Sequence, residues 1–141
     1  MTEPMRHRLR VGYADTDQGG IVHHSVYFRY LEQARVEVLR ECGIDYRSLE
    51  YDDKFALPVV DAQIKYRRPA LFDDVLDVEC WVGQLGRASV RFDYRVMRGD
   101  ELLTEAKIML ACIELPSGKL RSLPPSVREP LHVALQATLA S

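Results

Sequence analysis

One stretch of this chain repeats with the period of a helix, and nearly all its other regular stretches repeat with period two. From Val26 to Cys42 the apolar residues Tyr27, Leu31, Ala34, Val38 and Cys42 recur at spacings of 4, 3, 4 and 4, leaving Glu32, Arg35, Glu37 and Arg40 for the other faces. That pattern predicts an amphipathic helix of about four to five turns. Ser25 is placed to cap its start and Gly43 to end it. Before it, Leu9, Val11 and Tyr13 alternate with Arg8 and Arg10 as in a half-buried strand running Arg6–Tyr13. After it, a polar segment with room for a helical turn, Ile44–Lys54, leads into further alternating runs. These are Val60–Arg67, Leu76–Val82 and Ser89–Val96, then Leu102–Glu114, where Ile108–Ile113 is apolar on both faces. Arg68-Pro69-Ala70, Gly83–Arg87 and Arg98-Gly99-Asp100 are the turns between them. Pro124-Pro125 interrupts regular structure, and Val127–Leu139 suits a short terminal helix.

The order strand, long helix, then about four hairpin-linked strands implies an α+β fold. An antiparallel sheet of about five strands wraps around the one long helix, in a single domain spanning residues 1–141. Such a sheet leaves a face or an edge uncovered, so self-association into a dimer is expected. Composition narrows the function. Lysine plus arginine number 19 against 21 acidic residues, a net charge of −2, which lacks the basic surplus that nucleic-acid binding requires. No apolar window approaches the ~18 residues of a membrane span, and Met1–Arg10 lacks the apolar core of a signal peptide, so a cytoplasmic location is expected. Cys42, Cys80 and Cys112 are widely separated and odd in number, which favours reduced packing residues over disulfides or thiolate ligands. His7 and His132 stand alone, and adjacent His23 and His24 lack the i, i+4 spacing of a helical metal site, so no metal is expected.

The loop Asp15–His24 carries the densest chemistry. Asp15, Thr16, Asp17, Gly19, Gly20, His23, His24 and Ser25 run straight into the start of the long helix, where unpaired backbone N–H groups and the positive dipole end converge. That place suits the oxyanion of a tetrahedral intermediate, with a nearby carboxylate to attack an acyl carbon or activate water. The competing reading makes the aspartates turn-formers and the glycines chain shapers.

The run Tyr13–Arg35, YADTDQGGIVHHSVYFRYLEQAR, resembles the signature of the 4-hydroxybenzoyl-CoA thioesterase family of hotdog-fold enzymes, including its Tol-Pal-associated acyl-CoA thioesterase branch. The shared positions are Asp15, Asp17, Gly20, Val22, Tyr27, Glu32, Ala34 and Arg35. The likeness continues through Tyr66-Arg67-Arg68-Pro69-Ala70, Asp73-Asp74-Val75-Leu76 and Gly86-Arg87-Ala88-Ser89. It implies a hotdog fold paired into homodimers and, in many members, homotetramers. It implies no cofactor.

By position, the resemblance makes Asp17 the carboxylate that acts as nucleophile or general base. It sets His24 at the helix entrance, where the family uses a backbone N–H to polarise the thioester carbonyl. Gly20, Val22, Tyr27, Glu32, Val59 and Val60 are the expected surroundings of the acyl group. Arg87 matches a residue that contacts the nucleotide end of coenzyme A, and Ser89, Lys119 and Arg121 are candidates to join it. Glu32 and Arg35, three apart, are spaced to pair with each other, and structural duty is the expectation for Arg35. The implied function is hydrolysis of an acyl-CoA to free acid and CoA. The alternatives are a thioesterase acting on acyl carrier protein or on an aromatic acyl-CoA, and a non-catalytic acyl-binding hotdog protein.

Overall fold

The computed structural model describes residues 4–140; Met1–Glu3, the start of the polar amino-terminal run, and Ser141 lie outside the described residues. The long helix, α1 (Val26–Glu41), buries Tyr27, Tyr30, Leu31, Ala34, Arg35, Val38 and Leu39, so the apolar stripe is its inner face. It ends as Gly43 requires. Gly43 takes a φ of +79°, its amide donates to the Arg40 carbonyl at 3.0 Å, and the Ile44 amide reaches back to Leu39 O at 2.9 Å. This is a Schellman closure, with Leu39 and Ile44 both in the core. A short α2 (Tyr46–Tyr51) follows, capped by the Asp45 side chain, which accepts from the Ser48 amide.

Five strands form one antiparallel sheet: β1 (Met5–Arg10), β3 (Val59–Tyr66), β4 (Val75–Leu85), β5 (Ser89–Arg98) and β6 (Glu101–Ala111), in the order β1-β4-β5-β6-β3. On the central strands the even-numbered residues Leu76, Val78, Cys80, Val90, Phe92, Tyr94, Ile108 and Leu110 are buried within the core that α1 completes. Asp77, Glu79, Asp93, Arg95, Glu105 and Lys107 of the same strands form a charged outer face. There Arg8 pairs with Asp77 at 2.9 Å, and Glu79 lies between Arg6 at 3.4 Å and Arg95 at 2.9 Å. No helix is long and apolar enough to cross a membrane among the described residues.

Several local expectations are corrected. Tyr13 does not continue the first strand, which ends at Arg10; Tyr13–Asp15 is a 3₁₀ turn and the Tyr13 side chain is exposed. The turn begins because the Asp15 carboxylate pulls back onto the Gly12 amide. The last strand is also broken after Ala111: β7 (Ile113–Glu114) pairs instead with β2 (Phe55–Ala56) in a separate two-stranded sheet. Pro125 does not interrupt the terminal helix but begins it, since α3 (Pro125–Leu139) loses nothing by lacking an N–H in its first turn. The largest departure is β3. Its alternation predicts one buried face, yet Val59, Val60 and Tyr66 are exposed, because α1 packs on β4 and β1 and leaves this edge strand without a cover.

Candidate active site

The segment from Thr16 to Val22 folds back on itself. Thr16 and Val22 form an antiparallel bridge, the Asp17 amide donates to Ile21 O at 3.0 Å, and the His23 amide donates to Asp15 O at 3.0 Å. The tip turns at Gly20, whose φ of +76° is in the left-handed region where a side chain would strain the backbone. The Asp17 carboxylate shapes this tip: Oδ1 accepts from the Gly19 amide at 2.8 Å and the Ile21 amide at 3.3 Å. Asp17 is therefore a turn-former, as the competing reading required. Its Oδ2 accepts no hydrogen bond from the described residues, and the side chain is exposed, so one oxygen is spare for chemistry.

Asp15 is used differently. It is buried, its Oδ2 accepts from the Tyr30 hydroxyl at 2.7 Å and the Gly12 amide at 3.2 Å, and its Oδ1 is paired with Arg29. Burial alone would raise its pKa, but the hydrogen bonds from Tyr30, Arg29 and Gly12 outweigh that and hold the carboxyl below its usual range. The same burial, with the Asp15 charge beside it, pushes the Tyr30 hydroxyl well up. Asp15 is thus the bolt between loop and helix. Sequence reasoning placed it in the family pattern without giving it this work; the signal available was its pairing in register with aromatic and cationic residues one helical turn into α1.

The helix entrance carries free donors. The amides of Val26 and Tyr27 turn back to the carbonyls of His23 and His24, whereas the amides of His24 and Ser25 have no acceptor among the described residues. Ser25 does not cap: it has helical angles and makes no side-chain cap bond. The loop is held against the segment after β3 by Val22 N–H to Ala70 O at 2.9 Å and Phe72 N–H to Gly20 O at 3.0 Å. The Tyr27 hydroxyl also accepts from the Ala70 amide at 3.3 Å. Asp17, Gly20, Val22, His24 and Tyr27 are therefore brought to one end of the sheet.

The other candidates lie elsewhere. Val59 and Val60 begin β3, at the far end of the strand from Tyr66, about 20 Å away at the usual rise per residue. Arg87, Ser89 and Arg121 gather at that far end. The Cys112 amide donates to Ala88 O at 2.7 Å, Arg121 N–H to Cys112 O at 2.9 Å, and Leu123 N–H to Arg87 O at 2.9 Å. Lys119 is exposed two residues before Arg121. Arg121 stands 3.8 Å from Glu114, whereas the exposed Arg87 side chain has no partner among the described residues. Glu32 is exposed on α1 and does not pair with Arg35, which is buried and donates to the Tyr94 hydroxyl at 3.1 Å. No three His, Cys, Asp or Glu side chains are grouped to hold a metal ion among the described residues.

A sheet curled around one long helix, with this loop at the helix entrance, is the hotdog fold. The chain belongs to the thioesterase-like superfamily, which it matches over residues 11–131. It is 35% identical to the acyl-CoA thioesterase YbgC of Haemophilus influenzae over 124 residues, covering 88% of this chain and 91% of that protein. Among solved structures, a hypothetical protein from Aquifex aeolicus superposes with a TM-score of 0.85 at 36% identity, covering 91% of this chain and 99% of that one. A 1,4-dihydroxy-2-naphthoyl-CoA thioesterase from Synechocystis gives a TM-score of 0.81 at 27% identity, covering 93% and 94%.

Proposed function

We propose that this chain is a cytoplasmic acyl-CoA thioesterase of the 4-hydroxybenzoyl-CoA thioesterase type, in its Tol-Pal-associated branch, with each active site completed by a second copy. The observation that carries the chemistry is the spare Oδ2 of Asp17 on a loop that leads into the free amides of His24 and Ser25. These amides hold the carbonyl oxygen as it gains charge. Asp17 either attacks the thioester carbon itself, giving an acyl-enzyme anhydride that water then hydrolyses, or takes a proton from the water that attacks. In both cases the C–S bond breaks and CoA leaves as the thiolate.

The case for a second copy is geometric. One chain holds Asp17, Gly20, Val22, Tyr27 and Glu32 at or near the entrance of α1, and Val59, Val60, Arg87, Ser89, Lys119 and Arg121 toward the opposite end of the sheet. The outer edge of β3 is unpaired and exposes Val59, Val60 and Tyr66, and two such edges joined antiparallel bring the first end of one copy beside the second end of its partner. The partner's Arg87 cluster then meets the CoA phosphates. Dimers of this kind assemble further into a homotetramer. The aromatic group formed by Tyr27, Tyr66 and His24 beside this site favours, as a second reading, an aromatic acyl-CoA.

The test is thiol release from short aliphatic, long aliphatic and aromatic acyl-CoA thioesters, with Asp17→Asn and Arg87→Glu alone and mixed after subunit exchange. Each variant alone loses activity. In a mixed dimer one site carries both lesions and the other neither, so a random mixture recovers about a quarter of wild-type turnover. No thiol release by the wild type overturns the thioesterase reading; no recovery on mixing overturns the shared site.

A further inference from the structure

Tyr66 is the last residue of β3, and the hydrolytic chemistry proposed above does not use it. Its hydroxyl donates to the His24 carbonyl at 3.2 Å, and its ring lies against the His24 imidazole with centroids 4.1 Å apart and planes 14° from parallel. The buried Tyr27 ring meets Tyr66 edge-on at 5.3 Å and 72°. The entrance of α1 needs such support. Ser25 supplies no cap, the preceding tip turns on Gly19 and Gly20, and on the loop side the His23 amide is tied to Asp15 O. On the sheet side the ties are Tyr66 to the His24 carbonyl and ring, and Tyr27 to the Ala70 amide.

We propose that Tyr66 is a positioning residue: from the edge strand it holds the His24 carbonyl, whose peptide carries the Ser25 amide, together with the His24 ring, and so fixes the direction of the Ser25 and His24 amides toward the thioester carbonyl. This rests on the thioesterase reading and extends it to a residue that does not touch the reacting atoms. Donors to an oxyanion act only at about 2.7–3.1 Å from it, and they need no reorganisation during reaction only if already held there. A misplacement of about 1 Å can cost about 10²-fold in rate. Gripping the carbonyl and the ring together fixes both the peptide that carries the Ser25 amide and the His24 Cα before it, which the bond from the Tyr27 amide to the same carbonyl at 3.3 Å does not do alone.

The two grips are separable. Tyr66→Phe keeps the stack and removes the hydrogen bond; Tyr66→Leu removes both while keeping bulk. With the acyl-CoA thioester that the wild type hydrolyses fastest, kcat falls about 3- to 10-fold in Tyr66→Phe and about 30- to 100-fold in Tyr66→Leu, while KM stays within about twofold, as expected for an interaction realised in the transition state. A purely structural role would instead lower the melting temperature with kcat unchanged. Independently of turnover, the His24 ring proton resonances are shifted upfield by the Tyr66 ring, stay so in Tyr66→Phe and return in Tyr66→Leu. Wild-type kcat in Tyr66→Phe, or His24 resonances indifferent to Tyr66→Leu, overturns this inference alone. A wild type that turns over no CoA thioester overturns it together with the thioesterase reading.

Discussion

Asp15→Asn is a sharp perturbation because it changes charge while keeping shape. In the wild type, Oδ2 accepts from the buried Tyr30 hydroxyl and the Gly12 amide, and Oδ1 is paired with Arg29, whose side chain is half-exposed. A hydrogen bond to a charged group is worth about 1.5–3 kcal/mol and a neutral one about 0.5–1.5 kcal/mol, so neutralising the acceptor of Tyr30 and Gly12 costs about 2 kcal/mol. The Arg29 pair adds little, being screened by solvent. Because the folded carboxyl is held below its unfolded value of about 3.9, its stabilisation is fully present above that pH and is lost as pH falls through the lower folded value. Urea unfolding followed by circular dichroism should therefore show a gap of about 2 kcal/mol between wild type and Asp15→Asn at pH 7, closing in acid as the wild-type carboxyl also becomes neutral. A Tyr30→Phe cycle should return a coupling of about 1 kcal/mol. A gap that stays constant down to acid pH would refute the argument, because a packing defect has no reason to titrate.

Gly43→Ala should lower stability by about 1 kcal/mol without touching turnover, since its φ of +79° is costly for any side chain; an unchanged urea midpoint would contradict the Schellman closure. Arg87→Ala should raise KM for CoA thioesters more than for a short thioester lacking the nucleotide, and equal effects on both would remove Arg87 from phosphate binding. Val60→Asp should leave the isolated fold intact, as the side chain is exposed in one chain, but should yield monomers without thioesterase activity by light scattering and thiol release. A dimer persisting in that variant would exclude the β3 edge as the interface.

What was legible in the sequence was what burial pattern encodes. The stripe from Tyr27 to Cys42 and the alternation in β4 and β5 report a helix and strands that each bury one face within this chain, and both agree with the fold. Tyr13 was misleading because its apolar character continued an alternation that the backbone had already left for the Asp15 turn. The β2 and β7 pairing was missed because two residues on each side carry no periodicity to detect. At the candidate site, the loop Asp15–Ser25 stood out by its place ahead of a helix, whereas the expected roles of Asp17, Gly20 and His24 came from the family resemblance. Tyr66 was not, because β3 is 42 residues further along and only the fold lays its hydroxyl on the His24 carbonyl.

Two aspartates one residue apart would be interchangeable on composition alone, and their surroundings separate them. The oxygens of Asp15 are both occupied, by the Tyr30 hydroxyl and the Gly12 amide on one and by Arg29 on the other, and the hydrogen bonds that hold its charge also make that charge a poor base. A lone pair already shared with a buried hydroxyl is not available to a carbonyl carbon or to water. Asp17 has the opposite distribution, with one oxygen spent on the turn and the other open to solvent at the tip. The loop is therefore anchored and still offers a free oxygen: Asp15 spends both oxygens tying the loop to α1, whereas Asp17 spends one on the turn and leaves the other open. An exchange of their roles would require moving Tyr30 and Arg29, which α1 fixes one turn inside its own start.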